Sequence, residues 1–379
     1  MDLNQCRESI DQIDGELLRL FKERMTIVGQ IAEYKRAHNM AIFNKSRERE
    51  ILSRMSEQAG PELSSYARAM YSNLFNLSRS YQAGRLAGET RLTKEIRRAL
   101  DSAPKDFPQT GVVACQGLEG AYSQIACDKL FGFANIVYFK SFESVFQAVA
   151  QGLCEFGMLP IENSSYGSVN AVYDLMKSHS FHVVRSVKLK VDHALLAPMG
   201  TRMEDIREIY SHEQALGQCD AFLKEHSHIK IHVCENTAVA AKTVAELNRR
   251  DVAAISSHQC ASLYGLSIVA EGFQNSGQNY TRFICITKDM RVYPGANRIS
   301  VMLTMPHEPG ALYNTISKFA ALGLNLTKLE SRPMVGRDFE FMFYFDFDAS
   351  LHNEQVIELL EALSAAPELF VFLGCYSEV

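Results

Sequence analysis

The chain has 379 residues, 47% of them apolar and 22% charged, with a formal charge of −5. That length allows about two to four domains, and the balance is that of a soluble globular protein, with no charge excess to suggest nucleic-acid or membrane-surface binding. No apolar run approaches the roughly 18 residues of a membrane span, and residues 1–6 open no secretory leader. The nine cysteines are scattered, odd in number and never spaced as CxxC. They argue against a disulfide framework or zinc cluster and for a reducing, cytoplasmic compartment.

Residues 1–88 read as helices. Ile10, Ile13, Leu17, Leu20, Phe21, Ile27, Val28 and Ile31 keep helical spacing over about eight turns. A second helix follows Lys45, with Ile51, Leu52 and Met55 on one face. The break at Ala59-Gly60-Pro61 precedes a third, carrying Met70, Leu74, Leu77 and Tyr81. Residues 84–110 are charged and read as a helical tail and linker, with the linker at 89–110.

From residue 111 short apolar strands alternate with amphipathic helices, which argues an α/β domain. The last block reads strand, helix, strand, strand, helix, strand at 299–304, 310–321, 325–332, 339–347, 354–363 and 369–375, the ferredoxin-like order. Phe339, Phe341, Phe343, Phe345 and Phe347 alternate onto one sheet face. One helix layer seldom needs so much aromatic area, so a partner face is expected there.

Arg24 and Lys35 lie on the apolar stripe of the first helix, about three turns and about 16 Å apart. Glu48 falls on the Ile51/Leu52 face, and Ser78 and Gln82 lie beside Leu74 and Tyr81. Burying an unpaired charge is costly. These groups therefore either pair with one another or are completed by an ionic ligand; the excess of cations, with a hydroxyl and an amide, suits a dianion carrying a further oxygen acceptor.

The run from Arg7 to Asp14, with Glu23-Arg24-Met25, Lys35 and Arg47-Glu48-Arg49-Glu50, resembles the all-helical chorismate mutase family. The resemblance implies that Arg7 and Arg24 hold two carboxylates with Ser78 in support. Lys35 and Gln82 would donate to the ether oxygen, Glu48 would accept from the ring hydroxyl, and Asn44 and Arg47 would border the substrate. Asn44 stands where the family usually has Asp, which implies reduced activity. Arg7 lies 17 residues from Arg24, about 25 Å along one helix and a quarter-turn away. If both serve one substrate, Arg7 must come from a second chain, so an intertwined homodimer is expected.

In the central block, Gly117–Gly120 is a strand-to-helix turn open to an anion or serving as a plain connection. Pro160-Ile161-Glu162-Asn163-Ser164-Ser165 is a strand with a dense polar cap, and Asn279-Tyr280-Thr281-Arg282-Phe283 leads into a buried strand. With Ser211-His212-Glu213 and Asn236-Thr237-Ala238, these segments resemble prephenate dehydratase over residues 111–288. The resemblance implies two α/β lobes, arranged as in periplasmic binding proteins, around a cleft, with crossovers near 188–195 and 269–274. Thr281 would donate to the departing hydroxyl. Glu162, Asn163, Ser164, Ser211, Asn279, Arg282 and Phe283 would line the substrate, and Arg282 serves equally as a carboxylate contact or a structural ion pair. Neither reaction requires a metal or an organic cofactor.

Gly310-Ala311-Leu312 and Glu330-Ser331-Arg332 resemble the ACT regulatory domain, here at 297–379, and imply L-phenylalanine bound between paired domains. Alternatively, Glu330 and Arg332 merely pair along one strand face. The whole chain resembles the bifunctional chorismate mutase/prephenate dehydratase family: multidomain, with an all-α domain, a two-lobed α/β domain and a ferredoxin-like α+β domain. The implied partners are chorismate, prephenate and phenylalanine. Two alternatives are a dehydratase whose mutase half is only a dimerisation arm, and a non-catalytic sensor of aromatic ligands.

Overall fold

The computed structural model describes residues 2–86, 90–334, 340–365 and 369–379. Three helices come first: α1 (Leu3–Ala37), α2 (Lys45–Gln58) and α3 (Gly60–Leu86). Asp2 starts α1 through reciprocal bonds with Gln5, and Asn44 starts α2 by accepting the Arg47 N–H at 3.1 Å. Both are short polar side chains meeting backbone donors that the helix leaves free. Residues 7–20 of α1 are exposed on every side, so Ile10, Ile13 and Leu17 face solvent in the single chain. The next helix, α4 (Arg91–Asp101), falls within the segment read as a linker. It docks, because Leu92, Ile96, Ala99 and Leu100 form one apolar stripe against the C-terminal core.

The first lobe contains β1 (Thr110–Gln116), α5 (Tyr122–Leu130), β2 (Phe133–Phe139), α6 (Phe142–Ala150), β3 (Phe156–Asn163), β4 (Gly167–Ser168), α7 (Asn170–Met176) and β5 (His182–Lys190). The second contains β6 (His193–Ala197), β7 (Glu208–Ser211), α8 (Glu213–Gln218), α9 (Asp220–Glu225), β8 (Lys230–Val233), α10 (Thr237–Leu247), β9 (Val252–Ser257), α11 (Gln259–Tyr264) and β10 (Ser267–Glu271). Its own sheet runs β10-β6-β9-β7-β8. The chain then returns as β11 (Tyr280–Thr287), which lies antiparallel between β3 and β5 of the first lobe. Two connections therefore join the lobes, one at 191–192 and one at 272–279.

The C-terminal unit follows as β12 (Arg298–Thr304), α12 (Ala311–Ala321), β13 (Leu326–Pro333), β14 (Phe341–Asp348), α13 (Glu354–Ser364) and β15 (Phe370–Glu378), with strand order β13-β14-β12-β15. Its edge strand β15 pairs in parallel with β5 through Ser377 and Glu378, which merges it with the first lobe's sheet. Phe345 and Phe347 pack with Phe319 in the core beneath α12 and α13, while Phe341 is only partly covered and Phe339 lies outside the described residues. Phe343, Phe345 and Phe347 thus pack toward the unit's own helices. The other sheet face does have a partner: Met302, Met342, Tyr344 and Tyr376 share a core with Val172, Tyr173 and Met176 of the first lobe. Tyr344 donates to the Tyr173 carbonyl at 2.8 Å across that seam.

Candidate active sites

The first site sits where the three N-terminal helices meet. Arg24 donates to the Ser78 hydroxyl at 2.5 Å, and Ser78 donates in turn to the Leu74 carbonyl at 2.5 Å. Burial lowers the pKa of the Arg24 guanidinium, an effect opposed by Tyr71. Lys35 donates to the Ile42 carbonyl at 2.5 Å, which fixes it against the loop between α1 and α2. No carboxylate pairs with Arg24 or Lys35 among the described residues. Gln82 is buried with its side-chain oxygen unpartnered. Two half-buried cations without a carboxylate partner leave room for an anion, and the unpartnered Gln82 oxygen would accept from a hydroxyl or N–H.

Glu48 is not left to a ligand alone: Arg79, one position beyond Ser78, pairs with it and lies over the Phe43 ring at 5.0 Å. This partner escaped the sequence reading, although α3 places a cation one turn before Gln82. Two expected residues stand apart from the pocket. Arg7 is exposed on the projecting part of α1, consistent with its long separation from Arg24. Arg47 is exposed and pairs with Glu50 at 2.7 Å. Asn44 contributes the cap of α2, a role in which Asn and Asp are equivalent acceptors.

The second site lies at the end of β11. The ladder between β3 and β11 skips Ile161, so Asn163 stands opposite Thr281 and Glu162 opposite Arg282. Thr281 is buried, and its hydroxyl oxygen accepts from the Asn163 amide at 2.9 Å. The same amide donates to the Asn279 side-chain oxygen at 2.8 Å. The Asn163 oxygen accepts the Ser165 and Tyr166 N–H groups at 2.9 and 3.0 Å, which fixes its orientation. Because Thr281 accepts from Asn163, its own O–H proton is free to point outward. The Asn279 side-chain nitrogen is buried and unpartnered, a second donor in reserve.

Around this cluster the lobes touch. Tyr166 reaches α8 so closely that a Cβ on Gly217 would lie 2.1 Å from its hydroxyl, so a larger residue there would displace this exposed ring. The turn at Gly117–Gly120 serves as a lobe-to-lobe contact: Gly120 O accepts from Ser257 at 3.1 Å and Glu119 O from Tyr264 at 2.6 Å. At the first connection, Tyr122 donates to Asp192 O at 2.8 Å and His193 Nε2 meets Gln218 Oε1 at 2.7 Å. Burial lowers the His193 pKa, an effect opposed by Gln218. His193 and Gln218 were not singled out from sequence, because nothing in their spacing marks a hinge.

Several expected contacts fall elsewhere. Strand alternation turns Arg282 away from Thr281 toward the C-terminal unit, where it pairs with Asp346 at 2.7 Å and Glu162 at 3.3 Å. The ion pair is formed in this structure, Glu162 faces the same seam beside Lys328 at 3.2 Å, and both Arg282 and Glu162 line a cavity with Ser164 and Tyr280. Ser211 is fully buried and donates to the Ile255 carbonyl at 2.7 Å inside the second lobe, out of a ligand's reach. Ser164 donates to Gln278 O and accepts Tyr280 N–H, closing the loop around the site. Phe283 belongs to the first lobe's core.

In the C-terminal unit, Gly310 precedes α12 with φ of 86°. Glu330 and Arg332 do not pair with each other: Glu330 accepts from Ser168 at 2.7 Å, and Arg332 donates to Asn170 at 2.9 Å and Asp174 at 3.2 Å. Ser331 points to the opposite, exposed side of β13. One ligand facing one side of β13 therefore cannot meet all three. No helix of the described residues is long and apolar enough to cross a membrane, and none of their His, Cys, Asp and Glu residues cluster for a metal ion.

These features define a two-lobed cleft built around an oriented hydroxyl, preceded by a helical pocket for an anion. A prephenate dehydratase family model matches residues 113–291, and a chorismate mutase type II model matches residues 6–83. The chain is 38% identical over 276 residues to an arogenate dehydratase/prephenate dehydratase of Arabidopsis thaliana, covering 70% of this chain and 72% of that one. It is 29% identical over 378 residues to the bifunctional chorismate mutase/prephenate dehydratase of Escherichia coli, covering 98% and 95%. The solved prephenate dehydratase of Arthrobacter aurescens in complex with L-Phe has a TM-score of 0.64 and 27% identity, covering 70% and 89%. The chain belongs to the prephenate dehydratase family and carries a type II chorismate mutase domain ahead of the dehydratase, so both domains stand in one polypeptide.

Proposed function

We propose that the chain converts chorismate to prephenate between α1, α2 and α3, then prephenate to phenylpyruvate in the cleft at Thr281, under feedback from phenylalanine. The first step is pericyclic and needs no nucleophile or proton transfer. Arg24 and Ser78 would hold a carboxylate, Lys35 and Gln82 would stabilise charge on the breaking C–O bond, and Glu48 would take the ring hydroxyl. Arg7 would come from a second copy. The uncovered stripe of Ile10, Ile13 and Leu17 supports this, because a helix exposed around its whole girth lacks the packing that stabilises helices in proteins.

In the second step the bond from ring carbon to carboxylate breaks and its electron pair enters the ring. The ring C–O bond breaks, hydroxide leaves, and carbon dioxide is released. The observation that carries this reading is the Asn163–Thr281 bond, which leaves the threonine proton free for the departing oxygen. With Arg282 turned away, the unpartnered side-chain nitrogen of Asn279 is the donor in this cluster left to meet a carboxylate.

We infer that the C-terminal unit is a regulatory domain of the ACT kind. Gly310 uses a conformation open to glycine to start α12, where an amino acid's carboxylate would meet free N–H groups. The face of β13 that carries Lys328 and Glu330 grips Ser168, and β4 pairs with the β3 end that carries Asn163. Purified protein given chorismate alone should yield phenylpyruvate, with less formed when phenylalanine is added. Conversion of supplied prephenate but not chorismate would reduce the helical domain to a structural arm.

A further inference from the structure

We propose that the C-terminal unit is part of the mutase machinery, with Asn314 of α12 acting through Asn76 and Arg79 to position Glu48. The inference rests on the mutase reading of Glu48. Four side chains form one directed chain. Glu48 accepts from one terminal nitrogen of Arg79, and the other donates to the Asn76 oxygen. The Asn76 amide nitrogen then donates to the Asn314 oxygen at 2.7 Å. Asn76 has its acceptor committed to Arg79 and its donor to Asn314, so its amide has one satisfactory orientation. Without Asn314, the amide is free to turn and the guanidinium loses its guide.

The surroundings hold the chain in place. Arg79 lies over the Phe43 ring, which restricts the plane of its guanidinium. Lys318, on the same helix as Asn314, is buried near Arg79, and burial together with that like charge lowers its pKa. Its charge biases Arg79 away from α12, toward Glu48. Lys45 and Glu308 add an exposed ion pair at 3.4 Å between α2 and the loop before α12. The backbone N–H of Asn314 bonds to Gly310 O at 2.8 Å, so the relay begins within one turn of the α12 start.

The function of the relay is orientation. Glu48 must aim one oxygen at the substrate hydroxyl while its other oxygen stays neutralised, and Arg79 holds that second oxygen only if its own plane is set. Small misplacements of such groups are costly in rate, up to about a hundredfold for 1 Å.

The test uses the full-length protein and chorismate. Asn314→Ala should lower mutase kcat by about three- to tenfold with KM little changed, while turnover of supplied prephenate stays within about twofold. Retained dehydratase activity also reports that the chain has folded. Asn314→Asp keeps the acceptor for Asn76 and should restore mutase kcat. Arg79→Ala should cost more, and adding Asn314→Ala to it should cost nothing further, because both act through one path. Unchanged kcat in Asn314→Ala, or independent losses in the double variant, would overturn the relay. A wild-type chain that leaves chorismate untouched would overturn the mutase reading itself and the relay with it.

Discussion

The two sites differ in how much of each a single chain supplies. At Thr281 the polar network comes from the first lobe and the connection that returns to it: Asn163, Asn279 and the backbone of residues 165–166 close around one hydroxyl. The helical site holds Arg24, Lys35 and Gln82 in place yet leaves Arg7 far along α1, beside uncovered Ile10, Ile13 and Leu17. The dehydratase site is therefore a property of the fold, and under the proposed function the mutase site would be a property of the assembly. Perturbing association should separate the two activities, whereas perturbing β11 should separate them in the opposite sense.

The largest expected effect is at Thr281. Replacing it with alanine removes the proton aimed at the departing oxygen and should lower dehydratase kcat by about 10²–10³-fold, the scale of losing one donor at a developing charge. Mutase turnover should be unchanged, since no side chain of the helical pocket touches β11. Equal phenylpyruvate formation by Thr281→Ala and the wild type would remove the hydroxyl from the mechanism.

Next comes the assembly. Leu17→Asp places a charge on the uncovered stripe and should give a monomer by light scattering, with mutase activity down at least about tenfold and prephenate turnover retained. A sharper version mixes two inactive proteins, Arg7→Ala and Arg24→Ala, after subunit exchange. If each site takes Arg7 from the partner, half the dimers are mixed and each of those holds one intact site, so about a quarter of wild-type activity returns. No recovery after proven exchange would place both arginines in one subunit's site.

The same contrast explains what the sequence made legible. Helical spacing revealed α1, α2 and α3, and the strand order of the C-terminal block was readable because period-two and period-3.6 patterns alternate cleanly there. Asn163 stood out through a dense polar run at a strand end, whereas Thr281 taken alone reads as a plain strand residue and was marked only by the resemblance. Arg282 was ambiguous for a physical reason: adjacent strand residues face opposite ways, and only the skipped Ile161 decides which of Glu162 and Asn163 meets Thr281. Ser211 looked like a ligand group because burial and its bond to Ile255 leave no trace in local sequence. The seam with Asp346, and the docking of α4, involve partners remote in the chain, which no local pattern encodes.

A smaller effect is expected where β13 grips the first lobe. Glu330→Gln weakens the bond to Ser168 but leaves Thr281 and Asn163 untouched. Basal dehydratase activity should hold, while the phenylalanine concentration for half-inhibition rises about threefold or more, a fraction of an ordinary coupling energy. An unchanged inhibition curve would mean that the signal bypasses β4.

The smallest effect concerns the joint between the lobes. His193 is buried against Tyr122 and Gln218, and burial lowers its pKa below the ordinary value of 6.5. In the unfolded chain the imidazole takes a proton as pH falls through about 6.5, whereas in the folded chain it resists. The unfolded state then binds more protons, so stability is retained above that pH and lost progressively below it. His182 and His212 are shifted in the same direction by burial, so they add to the slope. His193→Gln keeps a polar group beside Gln218 but cannot titrate. Its thermal midpoint should fall less steeply than the wild type's between about pH 7 and pH 5. Parallel slopes would mean that the joint accepts a charged imidazole without cost.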